Sequence, residues 1–531
     1  MAPVKHQLKQ LLGSMPLTAE VDYALRRRGQ PVGGFHMEQL RTALPGWRAE
    51  VESSPYLQQP GKDVFVFGTL HYWIEHAAMI SLALAGLGNR VTFAFLPYAN
   101  WYSQINSYQL RQQNAYGRHV LQQAEPVIQV IPLLTHRKTK LPSELSLAVE
   151  HNAILDTQYS EQVEEVNLDG PLFQLRLQRN RQAAATALAC LQTHQPQLVL
   201  LPNGLILEFG AVYQAARYLD IPVVSYEFGE QRQRVWLSDQ SPVMYQDTSE
   251  MWSALRDQPF DESKFGKIKE LVSTRQDATL WNNFARRWQD VPAEGESVVR
   301  GKLGLDERPL VLLAANVIGD SLTLDRQTFS GSMTEWIKRT LDYFVQHPEV
   351  QFVLRTHPGE LGMKGPSVAD TVSKVLPEPP GHIHIIPPDA QINTYDLVSI
   401  ADLGLVYTTT VGLEMAMNGL PVIVVGNTHY RNKGFTIDPT TWEDYFTQLE
   451  KALNDPQTIR PNQQQVQDAW HYAYRFFFDY PHPFPWHLLQ FWQDVETWPL
   501  RRLFSEEGIA AFGKIFKYIL GQPVDWLDDG N

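Results

Sequence analysis

LGLVYTTTVGLE, residues 403–414, joins the pattern of a strand directly to the pattern of a helix. Residues 403–407 are apolar almost without interruption, as in parallel strands that are buried on both faces. Three threonines follow, and a helix pattern begins at Val411. A strand that passes through a short polar turn into a helix is the repeating unit of doubly wound α/β sheets. The stretch therefore predicts a Rossmann-like lobe.

The same alternation continues on both sides of this stretch. Helices are predicted between the strands, and residues 307–454 are assigned to one complete C-terminal lobe that binds the donor nucleotide. A Rossmann-like lobe needs about this many alternating elements. Its predicted strands are residues 309–315, 350–355, 383–386, 403–407 and 421–425.

An earlier α/β pattern covers residues 57–291, and it predicts an N-terminal lobe for the acceptor. Residues 292–296, PAEGE, have the composition of a linker. Residues 1–56 are predicted to form a helical lead-in, and residues 455–531 an aromatic helical tail that packs across both lobes. Two Rossmann-like lobes in tandem make the GT-B arrangement of the α/β class. The predicted N-terminal strands are residues 63–70, 90–96, 127–133, 197–202 and 222–226.

Bulk composition excludes several classes of protein. The formal net charge of -13 argues against a nucleic-acid-binding protein, which needs a basic face. The single cysteine, Cys190, excludes an internal disulfide framework. No apolar run approaches the length of a membrane span, and the first ten residues lack the apolar core of a signal peptide. The sequence thus predicts a cytoplasmic protein, peripheral to the inner membrane face if the aromatic tail forms a membrane or partner contact.

The candidate donor residues follow predicted strands of the second lobe, where ligands bind in open parallel sheets. Hydroxyls and backbone N–H groups at a helix start suit a phosphate, although a single threonine there is an ordinary cap. His357 can donate to a phosphate oxygen and offset charge on the leaving nucleotide. A charged loop after the last strand is either a cationic patch for the donor or a solvated loop. The predicted donor residues are His357, Pro358, Thr408, Thr409, Thr410, Glu414, Asp320, Ser321, His429, Arg431 and Lys433.

The first lobe supplies the candidate base, because an acceptor hydroxyl must lose its proton as it attacks the anomeric carbon. Glu227 follows the last predicted strand of that lobe and is the first choice, with Glu230 beside it in the cleft. His71 and Glu75 follow the first strand and are the competing candidates. His71 and His76 are five residues apart, whereas zinc-binding pairs on one helix face are four apart, so no metal is expected.

Three strings, residues 407–414, 419–422 and 429–436, resemble the capsule polysaccharide biosynthesis proteins, which include bacterial Kdo transferases that use CMP-Kdo. The resemblance is specific over about residues 310–435. Bacterial GT-B sialyltransferases are similar in two small motifs. Their His-Pro motif falls on His357-Pro358, implying contact with the nucleotide phosphate, and their acidic-acidic-Gly motif falls on residues 227–229. Phe228 stands where that motif has its second acid.

The residues and the resemblance together predict a metal-independent GT-B glycosyltransferase with no cofactor. Its first-choice donor is a CMP-linked acidic sugar such as Kdo, and its acceptor is a hydroxyl of a surface polysaccharide or glycolipid. A UDP- or GDP-sugar transferase remains an alternative. Teichoic-acid-type glycerophosphotransferases resemble the same loops, so a CDP-polyol phosphotransferase is another. A non-catalytic nucleotide-sugar-binding protein is the alternative of a different class.

Overall fold

The computed structural model describes residues 15–229, 231–281, 291–363 and 365–527, and it contains two β-sheets. Strands β1 to β6 and β12 form the first sheet, and β7 to β11 form the second. The strands are β1 (Asp63–Thr69), β2 (Arg90–Leu96), β3 (Gln129–Pro132), β4 (Leu198–Pro202), β5 (Val223–Glu227), β6 (Arg234–Ser238), β7 (Leu310–Ala314), β8 (Gln351–Arg355), β9 (Ile383–Ile386), β10 (Leu403–Val406), β11 (Val422–Val424) and β12 (His482–Pro483).

Twenty α-helices alternate with these strands in the described residues, together with short 3₁₀ and π turns. They are α1 (Thr18–Asp22), α2 (Glu38–Glu52), α3 (His71–Gly86), α4 (Ser107–Leu121), α5 (Ser143–Glu161), α6 (Pro171–His194), α7 (Leu207–Tyr218), α8 (Ser249–Leu255), α9 (Glu262–Gln276), α10 (Glu296–Leu303), α11 (Met333–Val345), α12 (Val368–Val375), α13 (Thr394–Ile400), α14 (Val411–Met417), α15 (Trp442–Asn454), α16 (Pro456–Ile459), α17 (Gln463–Tyr474), α18 (Phe491–Thr497), α19 (Leu500–Leu503) and α20 (Glu506–Ile519).

The first sheet has the order β12-β6-β5-β4-β1-β2-β3. Strands β1 to β5 are parallel, whereas β6 and β12 are antiparallel at one edge. Neither antiparallel strand is predicted from the sequence, because β12 has only two residues and comes from the distant tail. The parallel core is apolar because helices cover both of its faces.

The second sheet has the order β11-β10-β7-β8-β9, and all of its pairs are parallel. All four residues of β10 are buried, as the unbroken apolar run predicts. Strand order reverses beside β7, so the loops after β7, β8 and β10 lie together at one end of the sheet. The predicted α/β class with two Rossmann-like lobes, the GT-B arrangement, is confirmed.

The boundary between the lobes differs from the predicted one. The N-terminal lobe was expected to reach residue 291, but α8 and α9 pack into the core of the second lobe. Met251, Ile268 and Leu271 are completely buried there, against side chains of α14 and α17. Residues 292–296 therefore connect α9 and α10 within the second lobe and do not separate the two lobes.

The tail packs on both lobes. Helix α17 contacts α9 and α14 of the second lobe, whereas β12 joins the first sheet and Phe504 lies against Gly86 of α3. Between residues 455 and 527, within the described chain, no aromatic side chain is exposed. The aromatic rings of the tail are thus used mainly in packing, and a membrane or partner contact through them stays a prediction. Within the described ranges, no helix is long and apolar enough to cross a bilayer.

Glu164 of the first lobe binds the start of α11 in the second lobe. Its two carboxylate oxygens accept the backbone N–H groups of Met333 at 2.7 Å and Thr334 at 2.9 Å. The first N–H groups of a helix have no partner within the helix, and the helix dipole favours a negative charge at this end. One carboxylate thus ties the two lobes together.

We expect Glu164→Ala to lower the free energy of unfolding by about 1–2 kcal/mol, since it removes a charged helix cap. The measurement is urea unfolding followed by circular dichroism. Glu165→Ala is the matched control, because its side chain is exposed. Equal urea midpoints for both variants would show that the bond between the lobes contributes nothing.

Candidate functional site

A cavity of about 600 Å³ lies between the two lobes, at the carboxyl ends of strands from the first sheet. Its first-lobe wall is strongly aromatic, with the rings of Trp73 and Phe228 stacked 6.2 Å apart. Its second-lobe wall carries Asp320, Ser321 and Thr410. A mostly apolar cleft with a few convergent polar groups is the usual form of a small-molecule site.

Glu227, the last residue of β5, is a carboxylate on the first-lobe wall of this cavity. Asn203 Nδ2 donates to one of its oxygens at 3.0 Å, and the Phe228 N–H donates to the other at 3.0 Å. Burial nevertheless raises the pKa of Glu227 above its ordinary value, against the lowering effect of these two hydrogen bonds. A positioned carboxylate with a raised pKa has the properties of a general base.

The loop after β7 brings Asp320 and Ser321 to the opposite wall. The Asp320 carboxylate accepts hydrogen bonds from Ser321 Oγ and the Leu322 N–H, both at 3.1 Å. Gly319 precedes them with a φ of 70°, and a Cβ there would lie 2.6 Å from the Gln158 carbonyl oxygen. Only glycine combines this backbone angle with so close an approach. The structure thus places the predicted Asp320 and Ser321 at the cavity.

The threonine run has three different environments. The Thr408 N–H donates to Asn316 Oδ1 at 3.0 Å, so this amide already has a partner. Thr408 Oγ1 is buried and makes no hydrogen bond to the described residues. Thr409 is also buried, and its carbonyl accepts from the Tyr430 hydroxyl at 2.6 Å. Thr410 starts α14 without a side-chain capping bond and lines the cavity.

His357 and Pro358 follow β8, on the other side of the β7 loop from the threonines. His357 Nδ1 accepts the Gly359 N–H at 2.9 Å, and Pro358 begins a short 3₁₀ turn. Strand β7 separates β8 from β10, so the two motifs are two strand spacings apart, roughly 10 Å. Both belong to one end of the sheet, but His357 does not line the cavity that holds Glu227.

Four predicted donor residues have structural partners in place of a ligand. Glu414 is 1% exposed, pairs with Arg275 Nη1 at 2.6 Å and accepts from the Tyr395 hydroxyl at 2.9 Å. It therefore orients Arg275, and the prediction that it meets sugar hydroxyls is corrected.

The predicted cationic loop is corrected as well. Arg431 is buried and donates to the carbonyls of Val424 and Pro439. His429 stacks on Phe476 with ring centroids 3.7 Å apart, and burial holds its pKa well below the ordinary value, so it is neutral. Lys433 reaches Ser249 Oγ at 3.4 Å. None of the three lines the cavity.

The competing first-lobe candidates lie away from the cavity. Glu75 is 8% exposed and accepts from Trp492 Nε1 at 3.3 Å, and His71 is half-buried at the start of α3. His76 is fully buried and contacts the Trp486 carbonyl at 3.0 Å. Among the residues that the structure describes, no three metal-binding side chains converge. Glu230 lies outside the described residues.

Two arginines at the cavity are missed by the sequence analysis. Arg275 of α9 is 5% exposed, and Arg234 of β6 donates to the Pro481 carbonyl at 3.0 Å. Arg234 lies in an antiparallel strand and Arg275 near the end of a helix, so neither follows a parallel strand, where ligands of open sheets bind. A local signal is the alternation of Arg234 and Trp236 in a short strand, which places both side chains on one face.

No protein-family model matches the sequence, and a search of the curated proteins gives no match. Similar solved structures include KpsC, a β-Kdo 2,4 transferase from Thermosulfurimonas dismutans, at 16% identity and a TM-score of 0.33, covering 52% of this chain and 79% of that chain. Another is the UDP-GlcNAc 2-epimerase of Neisseria meningitidis bound to UDP-GlcNAc, at 12% identity and 0.25, covering 78% and 98%. A third is CalG4, the calicheamicin glycosyltransferase, at 13% and 0.24, covering 79% and 95%.

Glu75 gives a test that is independent of any ligand. Burial raises its pKa to about 7, from an ordinary 4.5, so the folded state favours the protonated carboxyl. The stability that it contributes is present below pH 4.5 and is lost as the pH rises towards 7.

We therefore expect Glu75→Gln to have a free energy of unfolding about 1–3 kcal/mol higher than that of the parent at pH 8. Near pH 4 the two proteins should be equally stable. Urea unfolding at the two pH values measures this. Glu144→Gln, at an exposed position, is the matched control and should show no such change with pH. A Glu75→Gln variant that is less stable at pH 8 would contradict the buried, protonated state.

Proposed function

We propose that this chain is a GT-B glycosyltransferase that moves a sugar from a nucleotide-sugar donor to an acceptor hydroxyl. The observation that carries the proposal is Glu227, a carboxylate of raised pKa in the same cavity as polar groups of the second lobe. In a sugar transfer the acceptor oxygen attacks the anomeric carbon, its proton passes to a base, and the nucleotide phosphate leaves with the bonding electrons. Glu227 is that base.

In this proposal the donor lies along the second lobe, with its phosphate at the turns after β8 and β10. The Thr408 hydroxyl, which makes no hydrogen bond to the described residues, the Thr410 hydroxyl and His357 supply donors there. Arg275, held by Glu414 one helical turn from Thr410, supplies the positive charge that the loop at residues 429–433 does not. Charge-assisted bonds from an arginine are the stronger kind.

The aromatic first-lobe wall takes the acceptor. Tyr72, Trp73 and Trp101 line the same cavity as Glu227, and flat apolar rings suit the apolar faces of a sugar ring. A CMP-linked acidic sugar such as Kdo is the first-choice donor, on the resemblance of residues 407–436 to capsule polysaccharide biosynthesis proteins. A glycan or glycolipid of the cell surface is the corresponding acceptor.

We expect Glu227→Gln to lower the rate of sugar transfer to the acceptor by roughly 10²–10⁴-fold, since it removes a general base. Donor binding should be unchanged, because glutamine keeps the shape of the side chain. The rate is measured as nucleotide release from a panel of CMP-, CDP-, UDP- and GDP-activated donors, and binding by calorimetry with the donor that reacts.

Asp239→Asn is the matched control, because it removes one negative charge at an exposed position. Release of CMP with a phosphodiester left in the product would show a phosphotransferase. Binding without turnover of every donor would show a nucleotide-sugar-binding protein. Full activity in Glu227→Gln would exclude Glu227 as the base.

A pH profile tests the role of Asn203. The base works unprotonated, so kcat/KM falls as the pH drops through the raised pKa of Glu227, at a pH above the ordinary glutamate value of 4.5. The Asn203 bond lowers that pKa, so Asn203→Gly should move the acid limb to higher pH. Glycine suits the φ of 61° at this position.

Asn432→Gly is the matched control, since Asn432 has a φ of 60° and an exposed side chain away from the cavity. Its acid limb should coincide with that of the parent. An acid limb of Asn203→Gly at the parent's position, in a variant with the parent's melting temperature, would exclude Glu227 as the group seen in the profile.

A further inference from the structure

Residues 15–28 present a row of apolar side chains to solvent. Leu17 is 68% exposed, Val21 52% and Leu25 80%. Leu17 is the residue directly before α1, Val21 lies in α1, and Leu25 lies in the π turn Tyr23–Arg27. The spacing of four residues keeps Val21 and Leu25 near one face of this segment. Single exposed leucines are common, but a continuous apolar row marks an interaction surface.

The opposite face fixes this segment to the first lobe. Ala19 and Tyr23 are buried, and the Tyr23 ring lies 6.5 Å from that of Tyr116 in α4. Glu20 accepts from Arg111 Nε at 2.9 Å. The apolar row is thus held outward by a packed, ion-paired inner face.

Positive charge adjoins the row. Arg26, Arg27 and Arg28 follow Leu25 directly, and all three are exposed. Arg28 and Arg41 both lie near His119. Burial lowers the pKa of His119, and the positive charges of these two arginines lower it further. Of the acidic residues of the segment, Glu20 pairs with Arg111, whereas Asp22 accepts from Gln112 and also lies 3.4 Å from Arg26 Nε. The row therefore has a basic margin on a protein of net charge -13.

We propose that residues 15–28 dock this protein on an anionic membrane surface. Leu17, Val21 and Leu25 enter the interface between headgroups and acyl chains, and Arg26, Arg27 and Arg28 meet the lipid phosphates. An apolar helix face beside a basic margin is the pattern of interfacial helices. A second copy of the chain fits less well, because two such margins brought together would repel. The proposal does not depend on the activity of the cavity.

The experiment is flotation of the full chain with vesicles of equimolar phosphatidylglycerol and phosphatidylcholine, and with vesicles of phosphatidylcholine alone. We expect binding to the anionic vesicles only, and weaker binding at high salt. R26Q/R27Q/R28Q should bind on the order of 100-fold more weakly, since each arginine near an anionic surface contributes about fivefold. R137Q/K138Q/K140Q, with the same change of charge at exposed positions, should bind as the parent does.

L17Q/V21Q/L25Q tests the apolar row, with L147Q/L168Q as the control at two other exposed leucines. The first variant should lose vesicle binding at all salt concentrations, and the control should keep it. Both should keep the parent's melting temperature. Equal losses of vesicle binding in R26Q/R27Q/R28Q and R137Q/K138Q/K140Q would show that binding is a general charge attraction, and this result would overturn the proposal. So would absence of binding, or a dimer in sedimentation that L17Q/V21Q/L25Q alone dissociates.

Discussion

The arrangement of the site depends on close backbone contacts between the lobes, where Gly319 and Gly365 meet the end of α5 at Gln158 and Gln162. The contact at Gly319 holds the loop after β7 against the first lobe. It places Asp320 and Ser321 across from Glu227, and the bonds of Glu164 to α11 lie on the same seam. A side chain at residue 319 would separate the walls of the cavity. Packed interfaces tolerate such intrusions poorly.

The sequence predicts the parallel strands well because each is an unbroken apolar run between two helices, as at β1 and β10. It does not predict β6 or β12. The pairing of β12 with β6 joins residues about 250 apart, and no local pattern encodes such a partner, whereas β6 pairs on its other side with the neighbouring β5. The assignment of α8 and α9 fails for a related reason. Their apolar residues reveal that they are buried, but not which of the two lobes buries them.

The site residues likewise fall into those that the sequence predicts and those that it does not. Glu227, Asp320, Ser321 and Thr410 reach the cavity because they end or follow predicted elements, and element order fixes their place. Arg431 and His429 have the right composition for a donor patch, but composition does not show which way a side chain turns. Arg431 turns inward to backbone carbonyls, and Arg275, from a helix with no recognisable motif, lines the cavity.

The tail has a consequence for how the chain folds during synthesis. Strand β12 completes the edge of the first sheet, and Trp486, Phe504 and Phe516 complete its core. All of these residues leave the ribosome after the whole second lobe. Part of the apolar surface of the first lobe therefore stays exposed until these last segments have been synthesised. Domains usually fold as they emerge, and exposed apolar surface favours aggregation. The surface of α3 at Gly86, which Phe504 covers in the folded chain, is part of that late-covered area.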